Sequence, residues 1–320
     1  MPLVKPFTGI LPAMQLPYRP DLSIDEEELR RFAGWLAGHK GIGGLVTNGH
    51  TGEVFALSPK ERAEATRIVA DEVRGANIPV ISGICCEGVN EAAEHAQMAE
   101  EAGARGLLVM PPHYWLRFGM QPQHVIDHFQ AIAKAVSINL IVHIYPAWTK
   151  AAYSSELLAE LAMIPGVTTM KIGTREMSKY DRDLATVRTA NPSITMLTCH
   201  DEYLLTSLVQ GLDGALVGFA SFIPEVIVDL YRAVCDGDLK RAQGIQAKIN
   251  PLKDVVYASG EPSGDAHARM KTAMMLAGRL KSNLTRPPVS APSGATLERI
   301  QKAVRAANLS PAVALTPALS

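Results

Sequence analysis

The chain has 320 residues, of which 47% are hydrophobic, and a formal net charge of -1. This length exceeds that of a typical small domain but fits one α/β barrel with an appendage. A near-neutral charge without basic clusters excludes the electrostatic surface that binds nucleic acid or an anionic membrane, so we expect small-molecule partners.

Short apolar, β-branched runs alternate along the chain with helical patterns. The predicted strands are Gly9–Met14, Gly43–Asn48, Pro79–Gly83, Gly106–Met110, Leu140–Tyr145, Thr168–Lys171, Ile194–Thr198 and Gly214–Gly218. Eight strand-helix units predict an α/β fold in which a parallel sheet closes into a (β/α)8 TIM barrel. A doubly wound open sheet is the alternative. Such a sheet usually carries a Gly-x-Gly-x-x-Gly loop after its first strand, and no such loop follows Met14.

Two helix starts are marked by capping boxes. Ser23 to Glu26 form the first, and Ser58 to Glu61 repeat the device with Pro59 at the first helical position. After about Asp236 the pattern is helical only. The predicted helices there are Leu239–Ile249, a stretch around Pro251–Ser259, Gly264–Ala277 and Ala295–Ala307. We therefore predict a catalytic barrel at 1–235, a C-terminal helical domain at 236–309 and a tail at 310–320.

The N-terminus lacks the charged region and long apolar core of a secretory signal, and no apolar run approaches the ~20 residues of a membrane span. These features predict a cytoplasmic protein with no membrane partner. The four cysteines and nine histidines show no metal-ligand spacing, which predicts reduced thiols and no metal site.

Four predicted strands end in segments with polar or reactive side chains. These carboxyl ends lie at the end of the barrel where enzymes of this fold have their active sites. The segments are Asn48 to Glu53, Pro111 to Trp115, His143 to Pro146, and Lys171 itself. With an ordinary pKa of about 10.4, only roughly one lysine in 2,500 is neutral at pH 7, a handicap of about 4.6 kcal/mol that burial can remove. A lysine at the end of a buried strand is therefore a candidate amine nucleophile. Each segment alone is a weak signal, and their convergence at one edge favours a functional site.

In this order, the Gly-x-Thr-Gly-Glu turn, the Pro-Pro-x-Tyr loop, the strand-five end and the lysine before Gly-Thr resemble the dihydrodipicolinate synthase and N-acetylneuraminate lyase family of class I aldolases. The resemblance covers about residues 5–309. It implies the barrel, a C-terminal helical domain, usually a homotetramer, and a Schiff base between Lys171 and pyruvate or a related 2-oxo acid. The protonated imine is the electron sink in such chemistry, so no metal or organic cofactor is expected.

The resemblance also implies roles for individual residues. Thr51, with the neighbouring backbone at Gly52, lies where the family binds the carboxylate of the 2-oxo acid, and Tyr114 lies where a tyrosine reaches a neighbouring subunit's site. His50 stands where family members commonly carry threonine or serine, and His143 stands where they carry tyrosine. The proton relay would therefore consist of His50, His143 and Tyr114, with an acidic limb in activity near pH 6–7 if His143 acts as a neutral base.

Trp148 occupies the place of an arginine that dihydrodipicolinate synthases use for their substrate's carboxylate, which argues against aspartate semialdehyde. With Trp115, Phe118 and Phe219, it indicates an apolar or aromatic aldehyde, unless these rings only pack at the barrel rim. His200, Gly218 and Phe219 would shape the distal pocket, unless the segment His200-Asp201 only caps the following helix.

The sequence therefore predicts a Schiff-base lyase that acts on a 2-oxo acid, either as an aldolase or as a hydro-lyase. One alternative within this fold is a hydratase-aldolase for arylidene-pyruvates. Another, from a different class, is a non-catalytic barrel that binds a 2-oxo acid.

Overall fold

A computed structural model describes residues 6–257 and 264–309. Eight parallel strands form one sheet in the order β1-β8-β7-β6-β5-β4-β3-β2, and parallel bridges from Ile10 to Ile42 and from Ala13 to Val46 join its two edges. The strands are β1 Gly9–Pro12, β2 Leu45–Thr47, β3 Val80–Ile84, β4 Gly106–Val109, β5 Asn139–Ile144, β6 Val167–Ile172, β7 Thr195–Thr198 and β8 Gly214–Val217. The predicted (β/α)8 barrel is confirmed, and every predicted strand overlaps an observed one.

Helices follow the strands and then continue alone at the C-terminal end. They are α1 Glu26–Ala37, α2 Pro59–Glu72, α3 Val89–Glu101, α4 Tyr114–Phe118, α5 Pro122–Ala135, α6 Ser155–Leu161, α7 Met177–Ala190, α8 Leu204–Leu208, α9 Phe219–Phe222, α10 Pro224–Cys235, α11 Leu239–Val256, α12 Ala266–Leu276 and α13 Gly294–Ala307. In the part of the chain that the structure describes, no helix combines the length and apolar character needed to cross a membrane.

One predicted capping box is correct and the other is wrong. At α2, the Ser58 side chain accepts from the backbone of Glu61 and the Glu61 side chain accepts from the backbone of Ser58, with Pro59 next to the cap. At α1, Asp25 is the N-cap and accepts from the backbone N–H of Glu28. A carboxylate one residue before the helix satisfies the same free N–H groups as serine does, so Ser23 is not needed for capping.

The break predicted before Pro251 is also wrong, because α11 runs through this residue as one helix. Proline removes the hydrogen bond to the carbonyl four residues earlier, that of Ala247. Both Pro251 and Ala247 are exposed, so water can hydrate that carbonyl and the helix continues. The end of the predicted stretch, 258–259, lies outside the described residues.

Side chains of alternate strand residues fill the barrel interior, as the two-residue period of a strand requires. This inner cluster consists of Phe7, Leu11, Ala13, Val46, Ile81, Leu108, Ile141, Leu197 and Leu216. The C-terminal helices pack into the same hydrophobic cluster as α1, α2 and the β8 end, and this cluster includes Ile249 and Met270 as well as Phe32 and Phe219. The helical segment thus shares a core with the barrel. Treating 236–309 as a domain of its own stays a prediction, and the predicted tail lies outside the described residues.

Candidate active site

Lys171 and His143 lie side by side on neighbouring strands at the carboxyl end of the barrel. Their Cα atoms are register partners between β6 and β5, so both side chains leave the sheet on the same face. Ile141, two residues before His143, belongs to the inner cluster, and strand alternation therefore points His143 and Lys171 into the barrel. His143 is buried, whereas Lys171 is partly accessible.

A cavity of about 350 Å³ opens at this end of the barrel. His143 on β5, Gly173 just after β6 and Cys199 just after β7 lie in its wall, whereas Lys171 itself is not among the lining residues. The other lining residues are His50, His113, Leu116, Ile144, Tyr145, Pro146, Trp148, Thr149 and Arg175. This size suits a small-molecule substrate.

Three imidazoles and one phenol form a cluster on one side of the cavity. The Tyr145 hydroxyl lies 3.4 Å from Nε2 of His50 and 3.5 Å from Nε2 of His113. The rings of His143 and Tyr145 meet edge to face with centroids 5.1 Å apart, and His143 lies 6.0 Å from the His50 ring. Nδ1 of His143 is buried and has no hydrogen-bond partner among the described residues. A substrate in the cavity could supply one.

The electrostatics of the site favour neutral bases and a neutral amine. Burial lowers the pKa of Lys171 below its ordinary value, an effect that Cys199 and Asp201 partly oppose. Burial, with the nearby Lys171 and His50, holds the pKa of His143 well below its ordinary value, and burial with Lys171 and His113 lowers that of His50 to about 3. Both imidazoles are therefore neutral at pH 6–7. The lowered pKa of His143 moves the acidic limb predicted for this residue to below pH 6–7.

The Gly-x-Thr-Gly-Glu turn lies beside the cavity, and two of its five backbone N–H groups donate within the turn. Those of Gly52 and Glu53 donate to the carbonyls of Gly49 and His50, at 3.0 and 3.1 Å. A Cβ at Gly52 would lie 2.9 Å from the Met14 carbonyl oxygen, so close backbone approach accounts for this glycine. Carboxylate binding by Thr51 and the neighbouring backbone N–H groups stays a prediction, since neither Thr51 nor Gly52 lines the cavity.

Glu53 connects this turn to the C-terminal helices through an ion pair that no sequence motif indicates. Its Oε1 accepts from Nζ of Lys271 on α12 at 2.5 Å, and both side chains are 0% exposed. Its Oε2 accepts from the backbone N–H of Arg286 at 3.1 Å. Because the two partners are 218 residues apart in the chain, no local pattern could have paired them.

The predicted distal-pocket residues lie behind the cavity and outside its lining. His200 is buried, its ring stacked on that of Tyr203 at 4.4 Å, and Phe219 stacks on Tyr257 at 5.8 Å. A Cβ at Gly218 would approach Met270 and Asp201. Packing contacts account for the positions of His200, Gly218 and Phe219, and a contact between these residues and substrate stays a prediction.

Asp201 caps a helix, although not the one expected. Its carboxylate accepts from the backbone N–H groups of Gly218 and Phe219, at 3.0 and 2.9 Å, and from the Tyr257 hydroxyl at 2.6 Å. Asp201 therefore caps the N-terminus of α9, which follows β8, and not the helical turn at 201–203 that follows β7. Burial raises the pKa of Asp201 to about 6.

Of the four aromatic residues predicted to line the site, only Trp148 lies in the wall of the cavity. Trp148 lines the cavity and is 57% exposed. Trp115 is buried against His128, and Phe118 lies at the surface beside Arg117. Tyr114 is 46% exposed and lies outside the cavity of its own chain. That position is compatible with a role in a neighbouring subunit, which stays a prediction.

Tyr145, His113 and Cys85 are site residues to which the sequence analysis gave no role. Tyr145 could have been found, because it follows His143 by two residues and strand alternation places both on the inner face. His113 and Cys85 follow β4 and β3, and Sγ of Cys85 lies 3.7 Å from Nε2 of His113. Their proximity depends on loop conformations that sequence spacing does not specify.

Comparison with known proteins gives a consistent result over nearly the whole chain. The Dihydrodipicolinate synthetase family profile matches residues 6–307. A 4-hydroxy-tetrahydrodipicolinate synthase of Haloarcula marismortui is 33% identical over 284 residues, covering 88% of this chain and 89% of the relative. A probable 2-dehydro-3-deoxy-D-pentonate aldolase of Escherichia coli is 29% identical over 260 residues, covering 81% and 84%.

Solved structures agree with these sequence relatives. An E. coli K12 prophage protein of the dihydrodipicolinic acid synthase family, solved in complex with pyruvate, superposes with a TM-score of 0.85 at 27% identity, covering 95% of this chain and 99% of that one. A dihydrodipicolinate synthase variant described as monomeric superposes with a TM-score of 0.86 at 23% identity, covering 95% and 98%, and this match shows the fold alone.

Proposed function

Because the chain belongs to the dihydrodipicolinate synthetase family, we propose that it forms or cleaves a bond next to the carbonyl of pyruvate or a related 2-oxo acid, held as an imine on Lys171. Family membership makes the chain a class I lyase that works without a metal or organic cofactor. The non-catalytic alternative is therefore set aside.

The observation that carries the proposal is the pairing of Lys171 with His143, which lines the cavity. The two are register partners, and burial favours the neutral form of each. A neutral amine attacks the ketone carbon, water leaves, and the resulting protonated imine accepts the electron pair released when the adjacent bond breaks. A neutral imidazole beside the amine can take up or return the proton that this step moves.

The remaining residues have supporting roles in this proposal. His50 and Tyr145 orient the proton donor, and Thr51 with the neighbouring backbone N–H groups binds the substrate carboxylate. Tyr114 completes the relay in a neighbouring subunit, so the active species is an oligomer, a homotetramer by resemblance to the family. The protein acts in the cytoplasm on a small molecule.

Trp148 favours a second, narrower candidate, the hydratase-aldolase for arylidene-pyruvates. Its exposed indole forms the cavity wall with Leu116 and Pro146. This wall offers apolar surface to an aldehyde, and it holds no arginine at the place where dihydrodipicolinate synthases bind a second carboxylate. Arg175 also lines the cavity, and its guanidinium is bonded to Glu202 at 2.7 Å.

The test is a product screen with pyruvate and a panel of aldehydes that includes aspartate semialdehyde, short hydroxy-aldehydes and benzaldehydes, read by mass spectrometry. We expect condensation products from apolar or aromatic aldehydes and little from aspartate semialdehyde. Lys171→Ala should form none, and Lys60→Ala, which removes an exposed lysine elsewhere, should match the wild type. Equal product from Lys171→Ala would contradict the proposal. Trp148→Ala should raise KM for benzaldehydes more than for short aldehydes if the second candidate is right.

A further inference from the structure

Three residues with metal-binding side chains meet at the ends of three adjacent strands. His50 follows β2, Cys85 follows β3 and His113 follows β4, and each offers one ligand atom within 4.8 Å of the other two. The proposed lyase chemistry uses neither Cys85 nor His113. We infer that His50, Cys85 and His113 form a Zn²⁺ site in the cavity wall, and that Zn²⁺ bound there inhibits the lyase.

The distances suit Zn²⁺. With Zn–S near 2.3 Å and Zn–N near 2.0–2.1 Å, a tetrahedral ion holds its sulfur and nitrogen ligands about 3.6 Å apart. Sγ of Cys85 and Nε2 of His113 are already 3.7 Å apart. Two nitrogens on such an ion lie about 3.4 Å apart. The ligand atom of His50 lies within 4.8 Å of the other two, so it has to move by at most about 1.4 Å to reach that separation.

The two loops that carry Cys85 and His113 are tied together without a metal. The Glu87 carboxylate accepts from the backbone N–H groups of His113 and Tyr114, at 3.2 and 2.8 Å. The Arg62 guanidinium donates to the Cys85 carbonyl at 3.0 Å. A site whose ligand loops are already fixed loses little conformational entropy when the ion binds.

The ligand types also select the ion. Two imidazoles and one thiolate suit borderline-soft Zn²⁺ better than Mg²⁺ or Ca²⁺, which prefer oxygen ligands. His50 and His113 line the cavity, which gives the ion a path of entry and leaves its fourth position for water. On binding, the Cys85 thiol becomes a thiolate and releases one proton to solvent.

A second group of similar type, formed by Cys86, Glu91 and His95, makes a poorer site. The Arg62 guanidinium contacts side-chain atoms of this group directly, 3.1 Å from Nδ1 of His95 and 3.9 Å from Sγ of Cys86, whereas in the first group it contacts only the backbone carbonyl of Cys85. We therefore expect one tight Zn²⁺ per chain.

Inhibition follows from what the ion would occupy. Zn²⁺ on His50 takes the lone pair that this ring would use toward Tyr145, and the ion lies on the cavity wall beside the proposed relay. This consequence rests on the proposed function, whereas Zn²⁺ binding does not.

Binding is tested by equilibrium dialysis of the full chain against Zn²⁺ with metal analysis, and by the near-ultraviolet charge-transfer absorption that Co²⁺ shows when bound to thiolate. We expect one Zn²⁺ per chain and the Co²⁺ band in the wild type. Cys85→Ser should lose the band and more than about 100-fold in Zn²⁺ affinity, because loss of an outer partner of a ligand alone typically costs 10–100-fold. His113→Gln should behave likewise, and Cys235→Ser, at an exposed thiol on α10, should match the wild type.

Zn²⁺ affinity that is unchanged in both Cys85→Ser and His113→Gln would overturn the site. The same binding assays on Lys171→Ala separate this inference from the lyase, since that variant should bind Zn²⁺ normally. With an active substrate in hand, Zn²⁺ should inhibit the wild type at one equivalent and leave Cys85→Ser active. Wild-type activity unaffected by a bound equivalent would overturn the inhibitory role.

Discussion

Glu53→Gln removes one charge from the buried ion pair that joins the Gly49–Glu53 turn to α12. Lys271 also donates to the Leu284 carbonyl at 2.6 Å, and its Nζ lies 4.3 Å above the Tyr18 ring. Burial lowers the pKa of Lys271 to about 8, so the amine is still mostly protonated at pH 7. Because Glu53 raises that pKa, the substitution leaves a buried amine that must either stay charged without its partner or give up its proton.

The expected loss in the free energy of unfolding is about 3–5 kcal/mol at pH 7, the cost of removing one partner of a buried pair. Adding Lys271→Met should recover much of it, because the orphaned charge is then gone. The deficit should also shrink as pH rises. Because Glu53 raises the pKa of Lys271, that pKa is lower in the variant than the value of about 8 in the wild type, and the extra cost of a charged Lys271 in the variant fades as pH rises from the lower pKa to about 8.

The assay is urea unfolding at fixed protein concentration, followed by tryptophan fluorescence. Glu64→Gln is the matched control, since it breaks an exposed pair with Arg67 in which both side chains are more than 40% accessible. That pair should contribute less than about 1 kcal/mol. A Glu53→Gln loss equal to that of Glu64→Gln, or a double variant no more stable than Glu53→Gln, would refute the reasoning.

Three further predictions concern the proposed chemistry. Because burial lowers the pKa of Lys171, the rate of imine formation with pyruvate should rise with pH only up to that lowered pKa and then level off below pH 10.5; a rate that climbs tenfold per unit throughout this range would contradict it. His143→Phe should lower kcat about 10²–10⁴-fold while pyruvate trapping by borohydride remains; a loss under tenfold would remove His143 from the relay. Tyr114→Phe should lower kcat without changing the oligomer measured by sedimentation, and a fully active wild-type monomer would show that Tyr114 serves no neighbouring subunit.

The barrel and the position of Lys171 could be predicted because each rests on a local signal. Alternating apolar runs fix the inner face of each strand, and a lysine at the end of β6 must then face the mouth. The same alternation placed His143 beside it. Ser23 and Asp25 are both favourable N-cap residues, and the sequence does not show which of them caps α1.

Contacts between distant segments could not be predicted in this way. Two examples are the ion pair between Glu53 and Lys271 and the hydrogen bonds from the start of α9 to Asp201. Both depend on how the C-terminal helices pack against the barrel. The approach of Cys85 to His113 depends on two loops tied by Glu87. Residue spacing carries no information about such packing, and it therefore gave no indication of a metal site.

Lys171 is proposed as the amine that binds the 2-oxo acid, and borohydride trapping detects that bond itself. The protein is incubated with pyruvate, reduced with borohydride, digested and analysed by peptide mass spectrometry. We predict one reduced pyruvyl adduct per chain, located on the peptide that contains Lys171, in both the wild type and Lys60→Ala. An adduct that persists at the same yield in Lys171→Ala, or that maps to another lysine, would contradict the account.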